Sequence, residues 1–538
     1  MLKASLFHFR RVREFLGQLS GKSARPGLLR RWRFEAPACC TSICAGQSCV
    51  KLALGICYAI VLYTSRCSGT SSDNQAWRKR TRRMDEADTP ERIQAMFLSV
   101  IIQYLVLLAV AFLIATILVR FFRPQPTHPE AAHSSESVDF ADSTPVSART
   151  TPAPSKSRTA QIVLFTIFSR VFLCFLAYLA AMLFMEESSG FLASYRELWI
   201  QSDAPHYLTI AEDWYVSTGE DAVLLVFLPL YPFLIRLFTM VLGNSLISGI
   251  LLSLSCYAAS AAILYRCTLQ LGYDEDTAFR SVKYLILFPA SFFVLGSFTE
   301  SLFILLTLLF FLYLLRKNWL LAAIFGSLAA FTRYYGILLV VPYGIEYLQH
   351  HIPALRGFYP ASHGSSEPAS HKAKIRNGFP VLLIPAGTGL YLIINYFVAG
   401  DPFRFLTYQR EHWHQSFGFF FDNVGKMVLN ALSYDAPTSA ALFVPQIAMI
   451  LLVLALLLYG VLHRFRLSML AYLTVYFIIS LSATWLLSFP RYMFGAAPIF
   501  ILLAAAGKRR TADMALSFFC GCGLVYLMLA YICQYHVY

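Results

Sequence analysis

Stretches of about twenty apolar residues, the length that fills the hydrocarbon core of a bilayer, recur along the chain from residue 96 to residue 531. They are continuous rather than alternating, so they read as helices and not as the ten-residue strands of a membrane barrel. The pattern predicts spans over residues 96–119, 162–184, 223–242, 246–265, 284–297, 301–315, 319–348, 379–398, 440–463, 467–487, 493–506 and 515–533. The two stretches on either side of Thr299 are short, and one of them fits a re-entrant segment as well as a span. The expected fold is therefore an all-α polytopic membrane protein of roughly 11–12 transmembrane segments.

Composition agrees with the pattern. Hydrophobic residues make up 57% of the chain and charged residues 14%, where a soluble domain carries about 25% charged residues. The net charge of +14 invites a nucleic-acid reading, but residues 1–83 hold 16 lysines and arginines against 3 acidic residues, which leaves the rest of the chain close to neutral. No nucleic-acid partner is expected. Six of the 12 cysteines, Cys39, Cys40, Cys44, Cys49, Cys57 and Cys67, sit in the same leader at spacings that fit neither a zinc site nor a disulfide framework. The others read as small hydrophobes in helices.

The chain divides into four parts. Residues 1–83 form a basic, cysteine-rich leader whose apolar stretch, 50–63, is short for a span. Were it to cross, Arg78, Lys79, Arg80, Arg82 and Arg83 would fall outside, against the positive-inside tendency. A start at Met84 instead gives an acidic head, so the leader is read as outside the native protein. Residues 84–122 read as an extra N-terminal transmembrane helix, 123–160 as a linker too rich in Pro, Ser and Thr to fold, and 161–538 as the membrane core. Arg120/Arg123, Lys372/Lys374/Arg376, Arg464/Arg466 and Lys508/Arg509/Arg510 share one side, assigned to the cytoplasm. Arg266, Lys283, Arg316 and Lys317 fit this scheme poorly. The other side holds the acidic loop 186–221 and the loop 400–434.

Those outer loops carry the candidate chemistry. "WIQSDAPHYLTIAEDWY", residues 199–215, precedes a segment broken by Pro229 and Pro232, a kind of break tolerated where backbone lines a cavity. Asp203, with His206 and Tyr207 close behind, can orient or deprotonate a hydroxyl there; equally, it can cap an interfacial helix that starts at Pro205. Glu300 lies between apolar runs, where an ionisable residue points to function: it can bind substrate hydroxyls, help hold a metal, or pair with Arg333 across the bundle. Arg333 and Arg491 suit phosphate recognition, and Arg491 can also snorkel from an interface. Asp401 forms a turn before Trp413, and Tyr492 follows Arg491 at a helix mouth. His412 and His414 beside Trp413 read as interfacial residues rather than metal ligands, and no residue is assigned as a metal ligand.

In this order the motifs resemble the GPI mannosyltransferase 2 (PIG-V type) family and its bacterial relatives, membrane glycosyltransferases of the GT-C class. Asp203 with "YLTIAEDWY" and "FLPLYP" is similar to the family's first outer loop; "FPASFF" and "FTESLF", "LAAFTRYYGILL", "GDPFRFL…W" and "FPRYM" match later elements. The resemblance covers residues 162–500. Ser202 stands where the family has Trp, and Trp214-Tyr215 where it has Gly-Tyr, differences that bear on the acceptor. The resemblance implies a GT-C-like bundle with outer catalytic loops, a polyprenyl-phosphate-linked sugar of the dolichyl-phosphate-mannose type as donor, and inverting transfer to a lipid-linked or surface glycan acceptor. It implies Asp203 as base or acceptor-orienting carboxylate, Arg333 and Arg491 on the donor phosphate, and Glu300 on sugar or acceptor. The membrane is then the plasma membrane of a bacterium or the endoplasmic reticulum of a eukaryote. A secondary transporter is the competing reading, but no internal repeat of the kind transporters show is visible.

Overall fold

The computed structural model describes residues 90–122, 156–184, 195–196, 198–352, 371–434, 439–484 and 488–532. The leader, the Met84 start and most of the linker lie outside the described residues. Within them the chain is all-α, with 18 helices and a single β-bridge between Phe417 and Ala483. Six segments are long and apolar enough to cross a membrane: Leu98–Leu118, Ser157–Met182, Ser245–Gln270, Lys374–Ala399, Ser439–Leu462 and Arg510–Ile532. The protein is an integral, multi-pass membrane protein.

Helix α1 (Pro90–Phe122) carries the first of these segments, and α2 (Lys156–Phe184), which begins inside the expected linker, carries the second. The short α3 (Ala204–Asp213) leads to a 3-10 turn over Glu220–Val226 and then to α4 (Leu230–Leu242), bent 114° from that turn. Both ends of α4 meet α3. Near its start the Tyr231 ring lies edge-on to Tyr207, 5.4 Å away; farther along, Arg236 donates to the Glu212 carbonyl at 3.3 Å, and Ser245 just beyond donates to the Glu212 carboxylate. Helix α4 therefore starts and finishes at one end of the bundle. This corrects the expected span over 223–242: its length and apolarity match a span, but two prolines and Gly243 in a left-handed C-cap fold it back.

The next helix, α5 (Ser245–Gln270), covers the expected span 246–265 and is long enough to cross, about 39 Å at 1.5 Å per residue; it is capped by Asn244, whose side chain accepts from Ile247 N at 3.0 Å. Two antiparallel pairs follow. In the first, α6 (Glu275–Leu287), capped by Asp274, rises to a 3-10 turn over Ser291–Leu295, and α7 (Glu300–Leu315) returns. In the second, α8 (Trp319–Ala330) rises to a 3-10 turn over Tyr334–Leu339 and α9 (Val340–His351) returns, so that the Trp319 ring packs on Tyr343, Tyr347 and His350 at 5.4, 5.9 and 5.7 Å. The expected single span 319–348 is thus a hairpin with its tip at residues 331–335. Helix α7 lies at the centre of the bundle, with 12 of its 16 residues buried.

Folding back α4 and splitting 319–348 moves the ends of everything between them. Arg266 reaches Thr159 at 3.5 Å, Lys283 pairs with Asp513 at 2.5 Å, and Lys317 and Arg466 share Glu346, each at 2.7 Å. The four poorly fitting basic residues thus join the basic end of the bundle with Arg466 and the start of α18.

The remaining helices are α10 (His371–Gly378), α11 (Leu383–Ala399), α12 (Arg404–His412), α13 (Phe420–Ser433), α14 (Val444–Leu462), α15 (Leu467–Leu481), α16 (Phe489–Phe494), α17 (Pro498–Ala506) and α18 (Arg510–Ile532). The first helix does not stand apart from the core: Ser99 of α1 donates to the Gly425 carbonyl of α13 at 3.0 Å, and Tyr104 lies edge-on to Phe421. Helix α13 is in turn fastened to the end of α15, where Asn423 donates to the Leu481 and Ala483 carbonyls, each at 3.0 Å.

Candidate active site

Four charged residues from distant parts of the sequence meet at the end of the bundle opposite the basic one. Asp203 stands at the N-cap position of α3, where its side chain makes no capping bond. Its Oδ2 instead accepts from Arg491 Nη1 at 2.6 Å. The capping role offered for Asp203 is therefore not seen; its carboxylate is engaged by Arg491 instead. Ser202, just before it, adopts φ 57°, a left-handed conformation uncommon outside glycine, at the turn into α3.

Arg491 lies in α16 and also donates through Nε to Glu300 Oε1 at 2.5 Å. That same oxygen accepts from Arg333 Nη1, and Arg333 Nη1 reaches Thr299 Oγ1 at 3.1 Å. Glu300 is the first residue of α7, where the unpaired amides of a helix start favour negative charge. Arg333 occupies an extended residue, φ −147° and ψ 146°, at the tip of the α8–α9 hairpin. The two hairpin tips bring these residues together inside the bundle, out of hydrocarbon, where a charge would cost several kcal/mol.

Burial differs sharply within the cluster. The Glu300 side chain is fully buried and that of Arg491 nearly so, Arg333 is 13% exposed, and Asp203 is 25% exposed. Asp203 is thus the carboxylate that a ligand can reach. Arg491 also packs against two neighbouring aromatic rings, with Cζ 4.8 Å from the Phe298 centroid and 5.0 Å from that of Phe293. Glu300 Oε2 is buried with no hydrogen-bond partner among the described residues, and such an orphan marks a place where a polar ligand or water belongs.

Around Asp203 the two outer loops converge through aromatics. The His206 ring is 5.2 Å from Phe227 and edge-on to Trp413 at 6.3 Å, and Trp413 also meets Phe227 at 5.7 Å. Tyr207 is buried edge-on to Phe227 and Tyr231. Its phenol is held above the ordinary range, first by burial and then by the Asp203 charge, so it stays a neutral donor. Tyr492 faces the Tyr335 ring at 5.8 Å, and its carbonyl accepts from Tyr476. Asp401 is not brought to the cluster. It is exposed, and its Oδ1 accepts from Phe403 N at 2.9 Å within its own turn.

Sequence reasoning missed the residues that shape the break before α4. The carbonyls of Leu225, Val226 and Phe227 accept from the hydroxyls of Tyr391, Tyr334 and Tyr215 at 2.7, 2.6 and 2.6 Å. Three tyrosines from three separate segments thus satisfy consecutive carbonyls just before the Pro229 break. The signal was Tyr334 beside Arg333, but a tyrosine in an apolar helix has too many ordinary uses to single out. Among the described residues, no group of three or more His, Cys, Asp or Glu side chains is arranged to hold a metal ion.

A family model described as dolichyl-phosphate-mannose-protein mannosyltransferase matches residues 228–356, the stretch that carries both hairpins with Glu300 and Arg333. No curated protein and no solved structure matches the chain. The family match supports a membrane glycosyltransferase of the GT-C, mannosyltransferase-like kind.

Proposed function

We propose that the protein is a mannosyltransferase of the PIG-V kind that moves mannose, with inversion, from a polyprenyl-phosphate donor to a lipid-linked or surface glycan acceptor. The observation that carries this reading is the buried Asp203–Arg491–Glu300–Arg333 cluster, with only Asp203 presented well to solvent. In the proposed reaction the acceptor hydroxyl attacks the anomeric carbon of the sugar as the bond from that carbon to the phosphate oxygen breaks. The hydroxyl proton passes to Asp203, and the electron pair of the broken bond leaves on the lipid phosphate. A carboxylate held at the attacking hydroxyl supplies general-base catalysis, and fixed guanidiniums stabilise the anion that leaves. The unpartnered Glu300 Oε2 is the next candidate to accept from a hydroxyl of the sugar, once the donor displaces the groups that bury it. His206, Phe227 and Trp413 form an aromatic rim of the kind that sugar faces stack on. The bilayer holds the donor's isoprenoid tail.

The test is transfer of labelled mannose from polyprenyl-phosphate-mannose into membrane extracts by purified protein. We expect wild type to transfer, and Asp203→Asn, which keeps the shape but cannot take a proton, to lose about 10²- to 10⁴-fold in kcat. Undiminished transfer by Asp203→Asn would remove Asp203 from the chemistry. No transfer by wild type, with competent donor and acceptor controls, would remove the reading.

A further inference from the structure

The two arginines of the cluster are not equivalent. Arg491 has two of its three guanidinium nitrogens engaged by carboxylates, Nε on Glu300 and Nη1 on Asp203, and two phenylalanine rings near its guanidinium. Only 5% of its side chain is exposed. Arg333 engages through Nη1 alone, on Glu300 and Thr299, so its Nε and Nη2 make no hydrogen bond among the described residues, and it is the more exposed of the two. An anion entering the site finds two nitrogens without a hydrogen-bond partner among the described residues on Arg333, the more exposed side chain, and only Nη2 on Arg491, whose other two nitrogens hold carboxylates.

We infer that Arg333 is the contact for the donor's phosphate and that Arg491 is a positioning residue, which aims the Asp203 carboxylate at the acceptor and does not touch the phosphate. This rests on the glycosyltransferase reading and assigns separate tasks to residues that the sequence left as equivalent phosphate contacts. Glu300 couples the two by giving the same oxygen to both arginines. The fork geometry matters for Arg491 in particular: a guanidinium spans two carboxylates at fixed separation, which a lysine ammonium, a single point charge, does not.

The experiment separates the two roles with steady-state kinetics and with inhibition by polyprenyl monophosphate, the lipid product that carries the phosphate but no sugar. For Arg333→Gln, the donor KM and the Ki of polyprenyl monophosphate should each rise about tenfold or more, the effect of losing a charge-assisted hydrogen bond. For Arg491→Lys, both should stay within about twofold of wild type while kcat falls about tenfold. Phe298→Leu, which removes one ring from Arg491 and leaves every charge in place, should repeat the kcat loss at roughly threefold without moving Ki, and it covers the case in which Arg491→Lys fails to fold. A rise in Ki for Arg491→Lys matching that of Arg333→Gln, or a pure kcat effect in Arg333→Gln, overturns the assignment while leaving the glycosyltransferase reading intact. A wild type that transfers from no polyprenyl-phosphate sugar sinks both.

Discussion

Glu300 is the residue on which the site turns, because its fully buried Oε1 holds two guanidiniums at once, that of Arg491 nearly buried and that of Arg333 13% exposed. Replacing it with Gln leaves two buried like charges facing each other, and breaking a buried pair on one side costs about 3–5 kcal/mol. Removing a guanidinium as well should recover part of that loss. We therefore expect Glu300→Gln to lower the thermal midpoint of the detergent-solubilised protein markedly, and the double variant Glu300→Gln/Arg333→Gln to be less destabilised than the sum of the single variants. Strict additivity would mean that the pair contributes no coupling. At this scale the sequence was informative in one respect: Glu300, Arg333 and Arg491 stand out as charges in apolar surroundings, and such charges are expensive enough to need a purpose. Which partner each has was not legible. Asp203 and Arg491 are separated by 288 residues, and local patterning carries nothing about contacts of that range. Asp203 illustrates the limit, since Asp before Pro at a helix start reads as a cap until the bond to Arg491 is seen.

Elements position these residues by close backbone approach and by tyrosine caps, and both can be tested. Helix α11 lies against α8 so tightly that a Cβ on Gly387 would come 2.1 Å from the Ser327 carbonyl, whereas a Cβ on Gly389, in the same helix, would meet nothing within 4 Å. Gly387→Ala should destabilise by about 1–3 kcal/mol through forced backbone movement. Gly389→Ala should be neutral or slightly stabilising, as helix propensity alone dictates. Equal unfolding temperatures for the two variants would contradict the tight packing. At the hairpin tip, a Cβ on Gly336 would lie 2.2 Å from the Ala330 amide, so Gly336→Ala should displace the turn that presents Arg333 and reduce transfer. The tyrosine caps on Leu225, Val226 and Phe227 form a second set. Each Tyr→Phe change at 215, 334 or 391 should cost about 1 kcal/mol or more by leaving a buried carbonyl unpaired, read as a fall in Tm. Hydrophobic pattern reported where helices exist, but it could not tell a span from α4, because 13 mostly apolar residues lying along one end of a bundle look the same as part of a crossing. Nor could it divide 319–348, where no proline or polar cluster other than Arg333 marks the turn before Pro342.

On the scale of the whole molecule these corrections decide which residues share a side. A crossing at 223–242 would put the loop between α5 and α6 with the acidic loop at Asp203; the folded-back α4 puts it with Arg466 and Lys508 instead. The ion pairs Arg158–Glu275 at 3.2 Å and Lys283–Asp513 at 2.5 Å, with Glu346 shared by Lys317 and Arg466, tie that end together. The same arrangement brings every basic residue that resisted the sequence scheme into line with the positive-inside tendency, without any adjustment to the charges themselves. Single cysteines in a background freed of native ones give a direct measurement. Ser217→Cys, beyond the end of α3, and Glu411→Cys, in α12, should react with an impermeant maleimide from the outer face of sealed cells or right-side-out vesicles. Asp276→Cys, in the first turn of α6, and Arg509→Cys, before α18, should react only after permeabilisation. Asp276→Cys is the discriminating position: labelling it from the same side as Ser217→Cys would mean that α4 crosses the bilayer. Labelling it only with Arg509→Cys leaves Asp203, Glu300, Arg333 and Arg491 opening to the outer face, where an acceptor arriving from outside and a donor held in the membrane can meet.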